Sequence, residues 1–208
     1  MARYIDSVCR MCRREGLKLF LKGERCFTPK CSLERRQKRP GQHGEMRKKL
    51  SEFSRQLREK QKVKSIAGMQ EKQFRRFFGK ASRRQGLTGE NLLILLELRL
   101  DNVVRQLGFS PSLKAARQMV NHGHILVNQK KVDIPSFLVK VGQEISLKPK
   151  ALNLQHVKES MEKKRERGIP PWLDLKAEGL SGKVLRMPTR DELSIDAQDQ
   201  LIVEFYSR

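Results

Sequence analysis

The chain is short of aromatic residues, at 6%, and carries a single Trp. It has no run approaching the ~18 apolar residues that a membrane-spanning helix needs. The longest apolar run, Leu92 to Leu96, stops at Glu97, so no membrane partner is expected. The opening residues, Met1-Ala2-Arg3-Tyr4-Ile5-Asp6, lack the apolar core of a signal peptide, and a cytosolic location is expected. Apolar residues make up 38% of the chain, thin for a free-standing globule. Part of the chain is therefore expected to be ordered by its partner. Acid is also scarce: 23 Asp+Glu face 45 Lys+Arg, a net charge of +22. That imbalance leaves the fold open but points to a polyanion, of which nucleic acid is the usual one, rather than a small-molecule substrate.

The charge is uneven. Residues 1–90 hold 26 Lys+Arg and 9 Asp+Glu, whereas residues 91–208 hold 19 and 14. All four cysteines lie in the basic half, as Cys9-x2-Cys12 and Cys26-x4-Cys31. Two close pairs across a short loop have the spacing of a tetrahedral site, so one structural Zn(2+) is expected on Cys9, Cys12, Cys26 and Cys31. Four thiolates fill the tetrahedron and leave no open catalytic position. Two disulfides or four unrelated buried thiols are the plainer readings. A cytosolic chain argues against the first, and the pairing of every cysteine argues against the second. An iron–sulfur cluster can use the same ligands, but nothing else in the chain points to electron transfer.

Base is dense around the cysteines. Arg3, Arg10, Arg13, Arg14, Lys22, Lys30, Arg35, Arg36, Lys38, Arg39, Gln42 and His43 are candidate phosphate contacts. Pro40-Gly41 and Gly44 forbid a continuous helix there, so the segment is expected to lie extended along phosphates rather than to be a solvated tail. Helices are expected over 45–67 and 71–85. The first has an apolar face at Leu50, Phe53 and Leu57, continued by the stems of Lys60 and Gln61, the second at Phe74, Phe77 and Phe78. Their basic residues Arg47, Lys48, Arg55, Arg58, Lys62, Arg75, Arg76, Arg83 and Arg84 are further candidates. The phenylalanines could be stacking platforms, but helical spacing favours core packing.

Residues 90–147 change character. A helix is expected over 90–108, with Leu93, Leu96, Leu100, Val103, Val104 and Leu107 buried and Gly108 as its C′ residue. Ser110-Pro111 reads as the start of a second helix, with Leu113, Ala116 and Val120 inward and Lys114, Arg117 and Gln118 outward. Ile125/Val127 and Val132/Ile134 then alternate around Asn128-Gln129 as a hairpin, and Ile145/Leu147 open another strand. Lys114, Arg117, Gln118, His122, His124 and Asn128 crowd one edge, as a recognition surface would. Beyond it, 155–166 reads as a helix, and Lys183–Met187 and Leu201–Tyr206 read as strands.

The fold class expected is α+β: a mainly helical basic N-terminal domain with a small zinc knuckle, plus a compact RNA-binding domain of two helices on a short antiparallel sheet. Its expected divisions are 1–44, 45–89, 90–150 and 151–208.

Several stretches carry a resemblance. They are the four cysteines with Arg39-Pro40-Gly41-Gln42-His43-Gly44, Leu57 to Lys62, Glu71 to Arg75, Leu98 to Val103, Ala115 to Ile125 and Leu201 to Arg208. In these the chain resembles the bacterial small-subunit ribosomal protein S-four family along nearly its whole length. The resemblance implies a primary binder of small-subunit rRNA that nucleates assembly of the subunit body. It also implies contact with ribosomal protein S-five, a part in decoding accuracy, a place near messenger RNA and, in some members, repression of their own messenger. It places Lys114, Arg117, Gln118, His122, His124 and Asn128 against RNA. The family's hairpin usually has Asn-Gly; Asn128-Gln129 here leaves room for a longer or shifted turn.

Two other functions compete. An RNA-modifying enzyme would need a catalytic domain, and no Asp, Glu, His or Cys group has the pattern of one. A messenger- or DNA-binding regulator would need dimeric half-site logic, which is not evident.

Overall fold

The computed structural model describes residues 4–42, 44, 49, 51–176 and 181–207. In chain order the helices and strands are α1 (Cys9–Glu15), α2 (Ser32–Arg35), α3 (Glu52–Ile66), α4 (Glu71–Ala81), α5 (Thr88–Glu97), α6 (Leu100–Gln106), α7 (Leu113–Asn121), β1 (Ile125–Val127), β2 (Lys130–Lys131), β3 (Glu144–Leu147), α8 (Pro149–Leu152), α9 (Gln155–Arg167), β4 (Leu173–Leu175), β5 (Ser181–Val184) and α10 (Asp199–Tyr206). They form two compact units. One takes Met1–Leu93 with Ile195–Arg208, the other Ile94–Ser194.

In the first unit α10 packs on α3. The sequence reads Leu201–Tyr206 as a strand because Ile, Val, Phe and Tyr favour strands. It is a helix because Ile202, Phe205 and Tyr206 fall at i, i+3 and i+4, on one helical face. Ile202 is buried, and the two rings meet Phe53 at 5.8 Å and Phe78 at 4.5 Å between centroids. The face of α3 also differs from expectation. Lys60 is buried as its place on that face implies, but Gln56 and Val63 are buried beside it, whereas Phe53 is exposed and Leu50 lies outside the described residues. Each member of the polar pair keeps a donor bond: Gln56 Nε2 donates to Glu204 at 3.0 Å and Lys60 Nζ to Glu71 at 2.9 Å, while Gln56 Oε1 is buried without a hydrogen bond among the described residues. Lys60 Nζ also sits 4.7 Å from the Phe205 ring centroid.

Glu71 closes this cluster. It accepts from Lys60, from Lys64 at 3.1 Å and from Tyr206 at 2.8 Å. Burial works against its carboxylate, but the bonds from Lys60, Tyr206 and Lys64 prevail and hold it down at about 2, against an ordinary 4.5. A carboxyl depressed by folding stabilises the fold above its unfolded value and loses that contribution as pH falls through the folded one. Glu71→Gln should thus cost about 1 kcal/mol at neutral pH, kept small by solvent screening of a half-exposed group. The gap to wild type should shrink between pH 4.5 and 2. Denaturant titrations over that range check it; a gap independent of pH would contradict it.

The second unit is a five-stranded antiparallel sheet, ordered β2-β1-β3-β5-β4, with helices packed on it. Its core joins Val103, Val104, Leu107 and Phe109 to Ile125, Ile145, Val157 and Trp172. The single helix expected over 90–108 is two. The chain extends at Arg99 (φ −67, ψ 138) and bridges Leu138. Val139 N–H donates to Leu98 O at 2.9 Å and Leu100 N–H to Phe137 O at 2.8 Å. The break is held by a buried ion pair: Arg99 Nε to Asp101 Oδ1 at 3.0 Å and Nη2 to Oδ2 at 2.6 Å, with side chains 1% and 0% exposed. An apolar stripe alone does not reveal this; the charges interrupting it, Glu97, Arg99 and Asp101, were the hint.

Gly108 does end α6 at φ +83, with Phe109 N–H on Val104 O and Gly108 N–H on Arg105 O. The start of α7 moves two residues from Ser110-Pro111. Ser112 is the cap, its hydroxyl accepting from Ala115 N–H at 3.3 Å, while Ser110 Oγ donates to Ser112 O at 3.1 Å. β2 is shorter than the alternation of Val132 and Ile134 implies, and Ile134 is exposed. β5 likewise ends at Val184, leaving Leu185 and Met187 exposed.

The hairpin turn is neither long nor shifted. Val127 pairs with Lys130, and Asn128 and Gln129 both take left-handed φ, 47 and 63. That is the two-residue turn that matches strand twist. Asn128 anchors it: its N–H donates to Glu144 O at 2.8 Å and its Oδ1 accepts from Glu144 N–H at 2.9 Å. Glutamine in this conformation is strained, so Gln129→Gly should stabilise the protein by about 0.5–1 kcal/mol in thermal unfolding. A loss instead would mean that the Gln129 side chain contributes contacts of its own.

Candidate nucleic-acid interface

Helix α7 presents one polar stripe. Lys114, Gln118 and His122 recur every fourth residue and are exposed, while Ala116, Met119 and Val120 pack into the core. Arg117, expected to face outward beside them, is instead buried. It falls three residues from Val120 and one from Ala116, on the packed side of the helix. The helix ends at Gly123 (φ +70), with His124 N–H on Met119 O and Gly123 N–H on Val120 O. This turn sets the His122 and His124 rings 6.0 Å apart. Asn128 is exposed at the hairpin tip, its side chain oxygen committed to β3. Of the six residues singled out, Lys114, Gln118, His122 and Asn128 are therefore exposed and His124 half-buried, and Arg117 is the one turned inward.

In the first unit, Phe74 and Phe77 are buried and Phe78 packs on Tyr206, so the phenylalanines serve the core. That leaves Arg75, Arg76, Arg83 and Arg84 exposed. A shallow cleft of about 470 Å³ is lined by Glu71, Lys72, Arg75 and Arg76. Lys72 is a residue that the sequence reading passed over, although 72, 75 and 76 have the spacing of one helical face. Glu71 is already occupied by its own cations, so the cleft presents net positive charge.

Arg10, Arg14, Lys22, Lys30, Arg35, Arg36, Lys38, Arg39, Gln42 and Arg55 are exposed; Arg13 is half-buried. Arg58 and Lys62 are engaged within the protein. Arg58 donates to Arg14 O at 3.0 Å and to Glu15 at 3.3 Å, tying α3 to α1, and Lys62 pairs with Glu59 at 2.6 Å. Arg3, His43, Arg47 and Lys48 lie outside the described residues.

The four cysteines are present as free thiols on α1, on a 3-10 turn at Gly23–Phe27 and at the cap of α2. Cys12, Cys26 and Cys31 are buried. Burial pushes the Cys12 and Cys26 thiols up, and charge on the neighbouring cysteines adds to it. Backbone hydrogen bonds at Leu19 and Lys22 oppose the rise, the second being Lys22 N–H to Cys26 Sγ at 3.4 Å. Among the described residues no three His, Cys, Asp or Glu side chains stand in a metal-binding arrangement, and no helix is long and apolar enough to cross a membrane.

Two domain families match in tandem: the Ribosomal protein S4/S9 N-terminal domain over residues 3–97 and the S4 domain over residues 98–145. Relatives named small ribosomal subunit protein uS4 align over the full length of both chains. Those of Thermodesulfovibrio yellowstonii, Pelotomaculum thermopropionicum and Thermus thermophilus are 54%, 53% and 52% identical. The chain belongs to the ribosomal protein S4 family. This is a structural, non-enzymatic family, which removes the RNA-modifying alternative. The S4 domain takes in α6, α7 and the β1–β2 hairpin, and so contains the stripe from Lys114 to His124.

Proposed function

We propose that this chain is a structural constituent of the small ribosomal subunit and a primary binder of its rRNA, nucleating assembly of the subunit body. The observation that carries this is the pairing of full-length identity to uS4 proteins with exposed base on both units. The basic unit neutralises phosphates through Arg10, Arg14, Lys22, Lys30, Arg35, Arg36, Lys38, Arg39, Arg75, Arg76, Arg83 and Arg84. The S4 domain adds selectivity through Lys114, Gln118, His122 and His124, docking on RNA shape. Family resemblance adds contact with ribosomal protein S-five, a part in translational accuracy and proximity to messenger RNA.

Binding to a small-subunit rRNA transcript should fall steeply with salt, as counterion release requires. Salt-insensitive binding, or preference for duplex DNA of equal length, would overturn the reading.

The same reading includes one structural zinc ion on Cys9, Cys12, Cys26 and Cys31. Its support is donor chemistry: four thiols, three of them buried in one small module, two with backbone N–H groups directed at sulfur. Those N–H groups stabilise thiolate sulfur, the form that ligates, against the larger opposing effect of burial. Protein purified without chelator should hold about one zinc per chain. Zinc content unchanged in Cys9→Ser/Cys12→Ser would refute the assignment.

A further inference from the structure

The cysteine module displays an aromatic pair that the fold does not bury. Phe20 and Phe27 stack with centroids 5.0 Å apart and planes at 29°, and they are 44% and 53% exposed. Each follows a buried residue, Leu19 and Cys26, which anchors the ring's base in the module. The loop beneath Phe27 is braced: Thr28 Oγ1 donates to Arg25 O at 3.1 Å, Cys31 N–H to Thr28 O at 3.0 Å and Arg25 Nε to Lys30 O at 3.4 Å. Phe20 also holds φ +51, a left-handed conformation that a bulky side chain adopts only under constraint. Both features work against stability. Large rings left half-exposed forgo part of their burial energy, and a strained backbone needs a surrounding that enforces it.

We propose that Phe20 and Phe27 form a stacking platform for an unpaired base of the bound RNA. The setting selects this occupant. Lys22, Arg25 and Lys30 are exposed around the pair in sequence, and Glu24 is the lone acid between Lys18 and Lys30. Cations that hold the backbone beside rings that take a base are the combination by which single-stranded RNA is gripped. The bracing bonds suit this role, since a ring pair must be fixed before the base arrives if stacking is to add affinity.

This inference rests on the RNA-binding reading, and the test separates the two. Full-length wild type, Phe20→Leu/Phe27→Leu and Phe20→Tyr/Phe27→Trp are titrated against the small-subunit rRNA transcript at several salt concentrations. Leucine keeps apolar volume and removes the π-face. The leucine variant should lose about ten-fold in affinity, the scale of one stacked base. Its salt slope should match wild type, because no phosphate contact is lost. The tyrosine–tryptophan variant should recover the affinity and show quenched indole emission on binding. Chemical probing should find an unpaired base protected by wild type and by the aromatic variant, but open in the leucine variant. Equal affinity of wild type and leucine variant overturns the platform while leaving RNA binding intact. So does an affinity loss accompanied by a changed salt slope or lost helical circular dichroism. Unchanged rRNA affinity with failure to enter reconstituted subunits overturns it in favour of a protein partner. Absence of salt-dependent binding by wild type would instead remove the RNA-binding reading itself.

Discussion

Asp101→Asn should destabilise the S4-domain unit by about 3–5 kcal/mol, a large share of a typical domain's 5–15 kcal/mol. The substitution keeps the shape of the side chain and removes its charge. The Arg99 guanidinium then remains in a site 1% exposed to water without the carboxylate that receives two of its N–H groups. Replacing both partners, as Arg99→Met/Asp101→Leu, should be far milder, since no charge stays buried. Urea unfolding of the two variants beside wild type checks the contrast. A single-variant loss under about 1 kcal/mol would mean that the pair is solvated or compensated. Because Leu98 and Leu100 bond to residues 137–139 across this break, rRNA binding should weaken with stability in the single variant and persist in the double one.

The second large effect lies on α4. Arg75→Gln/Arg76→Gln/Arg83→Gln/Arg84→Gln removes four exposed cations and leaves Phe74 and Phe77 buried as before. If each arginine meets a phosphate, the magnitude of the slope of log affinity against log salt should fall by about 3, at somewhat under one per lost contact. Affinity near physiological salt should drop by about a hundred-fold or more. Thermal stability should stay close to wild type, because isolated surface charges contribute little. An unchanged slope would place these arginines away from the RNA. The same four changes should leave discrimination between rRNA and other structured RNAs largely intact, since phosphate contacts position without specifying. Lys114→Ala/Gln118→Ala, on the S4-domain stripe, should lower discrimination more than slope.

Much of this protein is legible in one dimension where the cause is local. The hairpin follows from alternation around Asn128-Gln129, and Gly108 and Gly123 end helices because the backbone there needs a positive φ. The core role of Phe74 and Phe77 follows from helical spacing. The candidate interface is less legible. Arg58 and Arg117 look like the other cations in sequence, yet the first is spent on a protein carbonyl and a carboxylate and the second is buried, whereas Lys62 pairs locally with Glu59 at i,i+3. Nothing about an arginine's own position says whether its partner is a phosphate or a glutamate brought from elsewhere in the chain. Lys72 and the Phe20–Phe27 pair were missed for the opposite reason. Their meaning is exposure, which depends on what the fold leaves uncovered.

By itself, the sequence determined that the partner is a polyanion, that a cysteine-bearing basic half precedes an α+β unit, and that the family is S4. Each follows from composition, spacing or motif, which need no third dimension. Only the tertiary structure decided that the helix over 90–108 breaks at Arg99, that 199–206 is a helix, and that α3 buries Gln56. In each case the deciding group is distant in the chain. Leu138 bridges Arg99, Phe53 and Phe78 receive the rings of α10, and Glu204 accepts from Gln56 Nε2. A backbone or polar group can leave its local preference only when a remote partner compensates it, and that partner is set by packing.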